Sequence, residues 1–346
     1  MIINYLPKPI ILHILSFAHN DLHYLISNSF GENESMCMRK KQLPIGLIIS
    51  MRLYNHSFDH ILLSDKFKSS LCNTLSKKGE LEALEWARLH QCPWDMTTCA
   101  FAAEEGHLHI LKWARKNGCP WNQWTIEYAA RKGHLEILKW AKNEECPWDE
   151  KACSCAAKGG HLEALKWLRE NGCPWDEWTT GEAASAGHLH ILQWLKTQSD
   201  SCWDEFVFED AAEGGHIPVL KWMLDNDMPW STETFARAAR GGHIPAMKWL
   251  REQGCPWDEE SCHIAAEEGH LHVLIWLRDF CGCGWNGATC ARAAKGGQIK
   301  VVQWLRAQGC PWDQESCNNA ANEGHLQLLQ WLRDHGCPWD SSVLLA

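Results

Sequence analysis

Hydrophobic and polar positions return with a fixed step along most of this chain. A Trp follows a short turn every 27 or 28 residues, at Trp94, Trp121, Trp148, Trp175, Trp203, Trp230, Trp257, Trp285, Trp312 and Trp339. The residue after each of them is Asp, Asn or Ser, whose side-chain oxygen caps the unpaired N–H groups of a helix N-terminus. Because Cys153, Ala156 and Ala157 then share one face, the pattern predicts a helix of about ten residues after each turn.

A glycine ends each predicted first helix, and a second helix follows it. Glycine permits the left-handed C-cap without a Cβ penalty, and it stands at Gly79, Gly106, Gly133, Gly160, Gly187, Gly215, Gly242, Gly269, Gly297 and Gly324. The second helix is expected to begin at the next residue, usually His. Pro218 and Pro245 support this register, because a first-turn position tolerates the missing N–H.

A second series of Trp residues lies within the second helices, from Trp86 to Trp331. Repeats of this length cannot bury their apolar face alone and must stack on one another. We therefore expect an all-α solenoid of about ten stacked helix-turn-helix units, with both Trp series buried in the seams. The alternative, a ladder of exposed Trp residues that stack on ligands, would favour a basic surface.

Charge and composition exclude several classes of function. The net charge is −10 at pH 7, and residues 1–66 hold six basic against five acidic side chains, so the repeats carry the acidic excess. This charge argues against binding to nucleic acid or to an anionic membrane. The start of the chain has no basic residue before Lys8 and does not fit a signal peptide, and no apolar run is long enough for a transmembrane helix.

The cysteines point to the compartment. The chain has 18 of them, and most fall on two repeat positions. Residues confined to packing positions behave as small hydrophobic side chains, which favours free thiols in a reducing compartment over a disulfide scaffold. A cytoplasmic protein is expected.

The repeat resembles the ankyrin repeat through "AAxxGHLxxLKWLRxxGC", matched in nine clear units and in a weaker first unit at residues 67–93. The family unit has about 33 residues and a T-P-L-H opening. Here the unit is about six residues shorter and lacks that opening, so the projecting finger is expected to shrink to a tight "GCPWD" turn. This short, Trp-rich form is similar to the ankyrin arrays of large DNA viruses. The resemblance implies an ankyrin-like solenoid that binds proteins, in the host cytoplasm if the chain is viral.

The N-terminal segment, residues 1–27, resembles the opening of an F-box. That motif docks on a Skp-type adaptor of a cullin-RING ubiquitin ligase through an amphipathic helix. The family usually carries a Trp further on, and residues 26–66 have none. The alternative is an apolar helical cap that shields the first repeat. With either interpretation of residues 1–27, we expect a linker and a poorly defined helix over residues 28–66 and the repeats over residues 67–346. The matching residues are Leu6, Pro7, Ile11, Ile14, Leu15, Leu22 and Leu25.

Catalytic and metal-binding signatures are not found in the sequence. The "GH" histidines are expected to bond local backbone, and pairs such as His107 and His109 point to different helix faces. The cysteines form no zinc-finger spacing, and neither a phosphate-binding loop nor a nucleophile elbow is present. We expect no enzyme activity, no cofactor and no metal site.

Function is expected where the repeats differ from one another. The third position after the turn Trp holds Trp124, Lys151, Trp178 and Phe206 in successive repeats, which would form a row on the exposed side of the first helices. We call this side the first-helix face. Such aromatic residues are favoured hot spots, and half burial against the preceding turn is the alternative. Further candidates on the face are Phe101, Tyr128, Arg237, His263 and Arg292.

Two readings of function remain open at this point. In the first, the repeats capture a protein target on the first-helix face, and the F-box-like segment delivers it to a ubiquitin ligase. In the second, the chain is a scaffold or decoy that binds a cellular protein and has no ubiquitin role. The sequence does not identify the target.

Overall fold

The computed structural model describes residues 65–89, 91–199, 201, 203–228 and 230–339, and the regular elements of these ranges are α-helices that follow one another in ten pairs. The first helices are α1 (Asp65–Lys78), α3 (Met96–Glu104), α5 (Trp124–Arg131), α7 (Lys151–Gly159), α9 (Glu177–Ser185), α11 (Glu205–Glu213), α13 (Thr232–Arg240), α15 (Glu260–Glu267), α17 (Gly287–Lys295) and α19 (Gln314–Asn322). The second helices are α2 (Leu81–Leu89), α4 (Leu108–Lys116), α6 (Leu135–Asn143), α8 (Leu162–Glu170), α10 (Leu189–Lys196), α12 (Ile217–Leu224), α14 (Ile244–Glu252), α16 (Leu271–Cys281), α18 (Ile299–Ala307) and α20 (Leu326–Asp334).

The described chain forms two compact units. The first contains residues 65–152 and 163–173, and the second contains residues 153–162 and 174–339. Within each unit a first helix packs on the next first helix and on its own second helix, as α3 packs on α5 and α4, and as α13 packs on α15 and α14. Each unit is therefore a stack of helix pairs, and the prediction of an all-α repeat fold is confirmed.

The residue after the turn Trp caps the first helix, as predicted. Asp95 accepts a bond from the backbone N–H two residues on at 2.9 Å, and Ser231 forms a complete capping box with Thr234. Asp176 accepts from the hydroxyl three residues on at 3.5 Å, and Asp340 lies outside the described residues. The same N-cap bond to backbone is made by Asn122, Asp149, Asp204, Asp258, Asn286 and Asp313.

The "GH" histidines link successive repeats, so the expectation that they bond local backbone is wrong. His134 Nε2 lies 2.9 Å from the carbonyl oxygen of Glu104, in the last turn of the preceding first helix, where carbonyls have no partner within the helix. The His134 side chain forms no cap bond to its own helix, which begins one residue later than predicted. The same contact to the preceding repeat is made by His107, His188, His216, His270 and His325.

The imidazole also explains why the preceding repeat has a glycine at the end of its first helix. Gly106 has a φ of +80°, and a Cβ there would lie 2.8 Å from the ring of His134. Gly118 closes the second helix of the same repeat with the same φ, yet a Cβ there would meet nothing within 4 Å. Glycine at residue 106 therefore allows the left-handed backbone conformation and also leaves room for the imidazole ring. At residue 118, glycine is needed for the backbone conformation alone.

The core consists of small and aliphatic side chains, and the expected burial of both Trp series is wrong for most of them. Leu138 and Ala130 are fully buried, whereas Trp140 in the same repeat is only half-buried. Among the Trp residues of the two series that the structure describes, only Trp276 is buried. Small and aliphatic side chains thus fill the buried positions, and most of the Trp side chains lie at the edge of this core.

The Trp residues at this edge pack in edge-to-face pairs. The rings of Trp121 and Trp140 have centroids 5.6 Å apart at an angle of 60°, and the Arg115 guanidinium lies 4.2 Å from the Trp121 ring. Aromatic and cation–π contacts therefore cover indole surface that the core does not. The other edge-to-face pairs are Trp94/Trp113, Trp148/Trp167, Trp175/Trp194, Trp285/Trp304 and Trp312/Trp331.

The cysteines are mostly buried thiols, as expected, with one exception. In the described part of the chain, 14 cysteines are free, and all but Cys155 and Cys281 are buried. Cys262 and Cys283 are joined by a disulfide, so the expectation of free thiols is wrong for this pair. Cys290 and Cys310, at corresponding positions of the next repeat, are free with their Sγ atoms 3.3 Å apart.

Protonation of one linking histidine is expected to weaken the fold. Burial, and then the neighbouring His216 and His270, lower the pKa of His243 despite a hydrogen bond to the Glu213 backbone. The folded state therefore binds fewer protons than the unfolded chain, so the stability present above pH about 6.5 is lost as the pH falls through the lowered pKa. Gln298 holds the equivalent N-cap position in α18.

We expect His243→Gln to reduce the loss of stability on acidification, because glutamine does not titrate. The measurement is the shift in urea midpoint between about pH 7.5 and about pH 5 for wild type and variant. His109→Gln, at an exposed position, serves as the control and should retain the wild-type shift. An unchanged shift in His243→Gln would mean that protonation of this histidine does not weaken the fold.

Candidate protein-binding face

The turn and its cap place the third residue after the turn Trp on the outside of each first helix. In α9, Trp178 is 64% exposed, whereas Thr179 and Thr180 after it are buried. In α11, Phe206 is 56% exposed, whereas Phe208 is fully buried. Both helices belong to the second unit and pack on each other. Two large aromatic side chains at equivalent positions therefore face solvent, rather than being half-buried against the preceding turn.

The first unit holds the other two residues predicted at this position. Trp124 is 40% exposed in α5, and Lys151 is exposed at the start of α7. Burial and then Asp149 raise the pKa of Glu127, an effect that Lys151 and Arg131 only partly offset. The predicted row of four side chains thus divides into two residues in each unit.

Phe101 and Tyr128 come together in the first unit, as their equivalent positions predict. Their ring centroids lie 6.4 Å apart, with Lys77 5.4 Å from the Phe101 ring and Arg131 4.7 Å from the Tyr128 ring. Glu104 lies between the two cations, at 3.3 Å from Lys77 and 3.5 Å from Arg131. The rings are half-buried, so this cluster presents cations together with aromatic edges.

The charged candidates in the second unit form ion pairs within the chain. Arg237 in α13 lies 2.9 Å from Glu213 in α11, and Arg292 in α17 lies 3.1 Å from Glu260 in α15. His263 Nδ1 lies 3.3 Å from the same Glu260 carboxylate. The two arginines join successive first helices, whereas His263 contacts a carboxylate of its own helix, so the charges of both arginines are largely offset before a partner arrives. Their role in partner binding remains a prediction.

Asp210, one helical turn after Phe206 in α11, depends on a glycine in the neighbouring helix. A Cβ at Gly181 would lie 2.5 Å from Asp210 Oδ2, so the missing side chain in α9 leaves room for the carboxylate of α11. Burial raises the pKa of Asp210, Arg237 lowers it, and the carboxylates of Glu213 and Glu182 raise it further. Glu182 follows Trp178 by four residues and Asp210 follows Phe206 by four, so each aromatic residue has a carboxylate one helical turn away on the same helix face.

Sequence reasoning missed the charged residues in the last turn of the first helices. Lys77 and Arg131 contact the aromatic pair of the first unit, and Glu104 pairs with both of them. In the second unit, Lys158 pairs with Glu182 at 3.0 Å. The residue types at these positions also differ from repeat to repeat, and this variation is the sequence signal that could have identified them. The paired residues lie 24 to 27 positions apart in the sequence, so the pairs could not be predicted from a single repeat.

Several predicted features lie outside the described residues. The F-box-like residues of the N-terminal segment, the linker that follows it and the end of the chain from residue 340 all do so. Within the described part, no helix combines the length and apolarity needed to cross a membrane. The same part contains no group of three or more His, Cys, Asp or Glu residues placed to hold a metal ion.

Comparison with known proteins bears on the repeats. Residues 153–195 match the family model for ankyrin repeats (many copies). The match supports ankyrin repeats within these residues, which include helices α8 and α9. Among solved structures it is similar to the human ASB11 ankyrin repeat domain, with 20% sequence identity, a TM-score of 0.34, and coverage of 44% of this chain and 82% of that chain. No curated protein gives a significant match.

Ankyrin repeats indicate a protein–protein interaction module, which agrees with what the first-helix face presents. Its exposed aromatic and charged side chains are of the types that contact protein partners. The match to ankyrin repeats therefore supports a coarse function, protein–protein interaction through the repeats.

Proposed function

We propose that this chain is a substrate-recognition adaptor, which captures a protein on its first-helix face and links it to a cullin-RING ubiquitin ligase through the F-box-like segment. The exposure of Trp178 and Phe206 carries the first half of the proposal, because the repeat fold does not require large aromatic residues at these positions. Burying them against a partner would remove apolar surface from water. The second half is supported by the F-box-like pattern in residues 1–27.

The two halves of the proposal predict separable losses when the tagged full-length chain is purified from cells and its partners are quantified by mass spectrometry. Trp178→Ala with Phe206→Ala should lower recovery of the target about tenfold or more and leave recovery of a Skp-type adaptor unchanged. Leu15→Asp with Leu22→Asp should do the reverse, since charges on the apolar face of a docking helix prevent docking.

Matched controls separate these effects from loss of folding. Glu163→Ala changes an exposed side chain of α8, and Ser35→Asp adds a charge to the polar stretch after the F-box-like segment. Both should retain all partners. If the wild-type chain never recovers a Skp-type adaptor, or if the Leu variants leave its recovery unchanged, the adaptor proposal is wrong. Recovery of the target alone would then support the alternative function, a scaffold or decoy.

A further inference from the structure

The exposed aromatic pair of the second unit lies in an acidic stretch of the sequence. Residues 174–216 contain nine acidic side chains and a single basic one, Lys196, whereas residues 94–147 contain seven of each. The net charge of the whole chain is −10, so this stretch accounts for most of it. Trp178 and Phe206 are also the two most exposed aromatic residues of the described first helices. The exposed aromatic pair and the acidic stretch of the sequence therefore belong to the same two repeats.

The carboxylates nearest the aromatic pair are fixed by packing. Asp210 rests on Gly181, Glu182 is held by Lys158 at 3.0 Å, and Glu213 is held by Arg237 at 2.9 Å. These two cations belong to the first helices that precede α9 and follow α11, and they offset part of the acidic charge. The acidic excess of residues 174–216 remains after both are counted. A ligand on Trp178 and Phe206 therefore meets a negative field and carboxylates in set positions.

Other tryptophans of this chain already bind cations on their ring faces. One guanidinium lies 4.1 Å from the ring of Trp94 in the first unit, and another lies 4.0 Å from the ring of Trp312 in the second unit. No cation of the described residues is found over the ring of Trp178, although the ring is the more exposed. An exposed indole beside carboxylates is suited to an arginine or lysine side chain supplied from outside.

We propose that the occupant of this face is a basic segment of a partner protein, with an Arg or Lys side chain over Trp178, apolar contact to Phe206 and a further cation at Asp210 and Glu182. This inference rests on the proposed function and gives the partner's chemistry. An acidic partner would face repulsion from the same carboxylates. A purely apolar segment would leave them without a complementary charge.

Selection of a phage-displayed library of random peptides on the full-length chain tests the proposal. Selected peptides should be enriched in Arg and Lys and should bind more weakly as salt rises, because the charges are solvent-accessible. Trp178→Ala should weaken binding of the selected peptides about tenfold, and so should the pair Glu182→Gln with Asp210→Asn. Glu136→Gln with Glu163→Gln removes the same charge from exposed positions of second helices and should have little effect.

The possible results distinguish this inference from the proposed function. If the selected peptides need Trp178 but carry no excess of Arg and Lys, the basic-partner inference is wrong and protein capture by the face stands. If basic peptides bind all variants equally, their attraction is to net charge and not to this site, which also overturns the inference. If no peptide is selected, or none depends on Trp178 or Phe206, both the inference and docking at this aromatic pair are wrong.

Discussion

Replacing Phe208 by Ala is expected to lower the free energy of unfolding by about 3 to 5 kcal/mol, because its side chain is fully buried and the fold cannot close the resulting cavity. The same substitution at Phe206, two residues earlier in α11, should change it by no more than about 0.5 kcal/mol, because that side chain is exposed. The ring of Phe208 also packs 5.6 Å from that of Trp230 in the next repeat, so its loss should loosen that contact as well.

Urea unfolding followed by far-UV circular dichroism measures both effects. Since repeat stacks unfold in parts when one interface is weakened, hydrogen exchange in α11 and α13 should report the local loss at Phe208→Ala. Phe206→Ala should leave exchange unchanged while it reduces partner recovery. Similar destabilisation by both variants would contradict the assignment of one ring to the core and the other to the binding face.

Gly106→Ala is expected to cost about 2 to 5 kcal/mol, and Gly118→Ala only about 1 to 2 kcal/mol. Both residues have a φ of +80°, so the backbone penalty for an L side chain is the same. The difference is the ring of His134, which lies 2.8 Å from the position of a Cβ at residue 106. Its bond to the Glu104 carbonyl holds the ring there.

A double-mutant cycle with His134→Ala isolates the steric part of this cost. Removing the imidazole should make the added Cβ at residue 106 less damaging, so the double variant should be more stable than the sum of the single effects predicts. The same cycle with Gly118→Ala should show additive effects. Additive behaviour in both cycles, measured by urea unfolding, would show that the backbone conformation alone accounts for the glycine.

Some residues of the candidate face could be predicted from the repeat sequence. The turn Trp and its cap fix where each first helix begins, so the sequence names Trp178 and Phe206 as equivalent positions that differ from the other repeats. Whether they would be exposed or half-buried was open, since this depends on how closely the neighbouring turn packs. The observed neighbours Thr179 and Phe208 turn inward and leave both aromatic residues outside.

What the sequence determined by itself is the helix-pair architecture, because the residues that end helices act through the backbone next to them. Asp95 caps the helix that follows it, and Gly106 permits the turn in which it stands, whatever lies beyond. Tertiary structure alone decided that His134 bonds the preceding repeat, that Trp140 stays at the edge of the core, and that Asp210 packs against the neighbouring first helix. These features depend on distances between groups in different helices, which a repeat's own sequence does not encode.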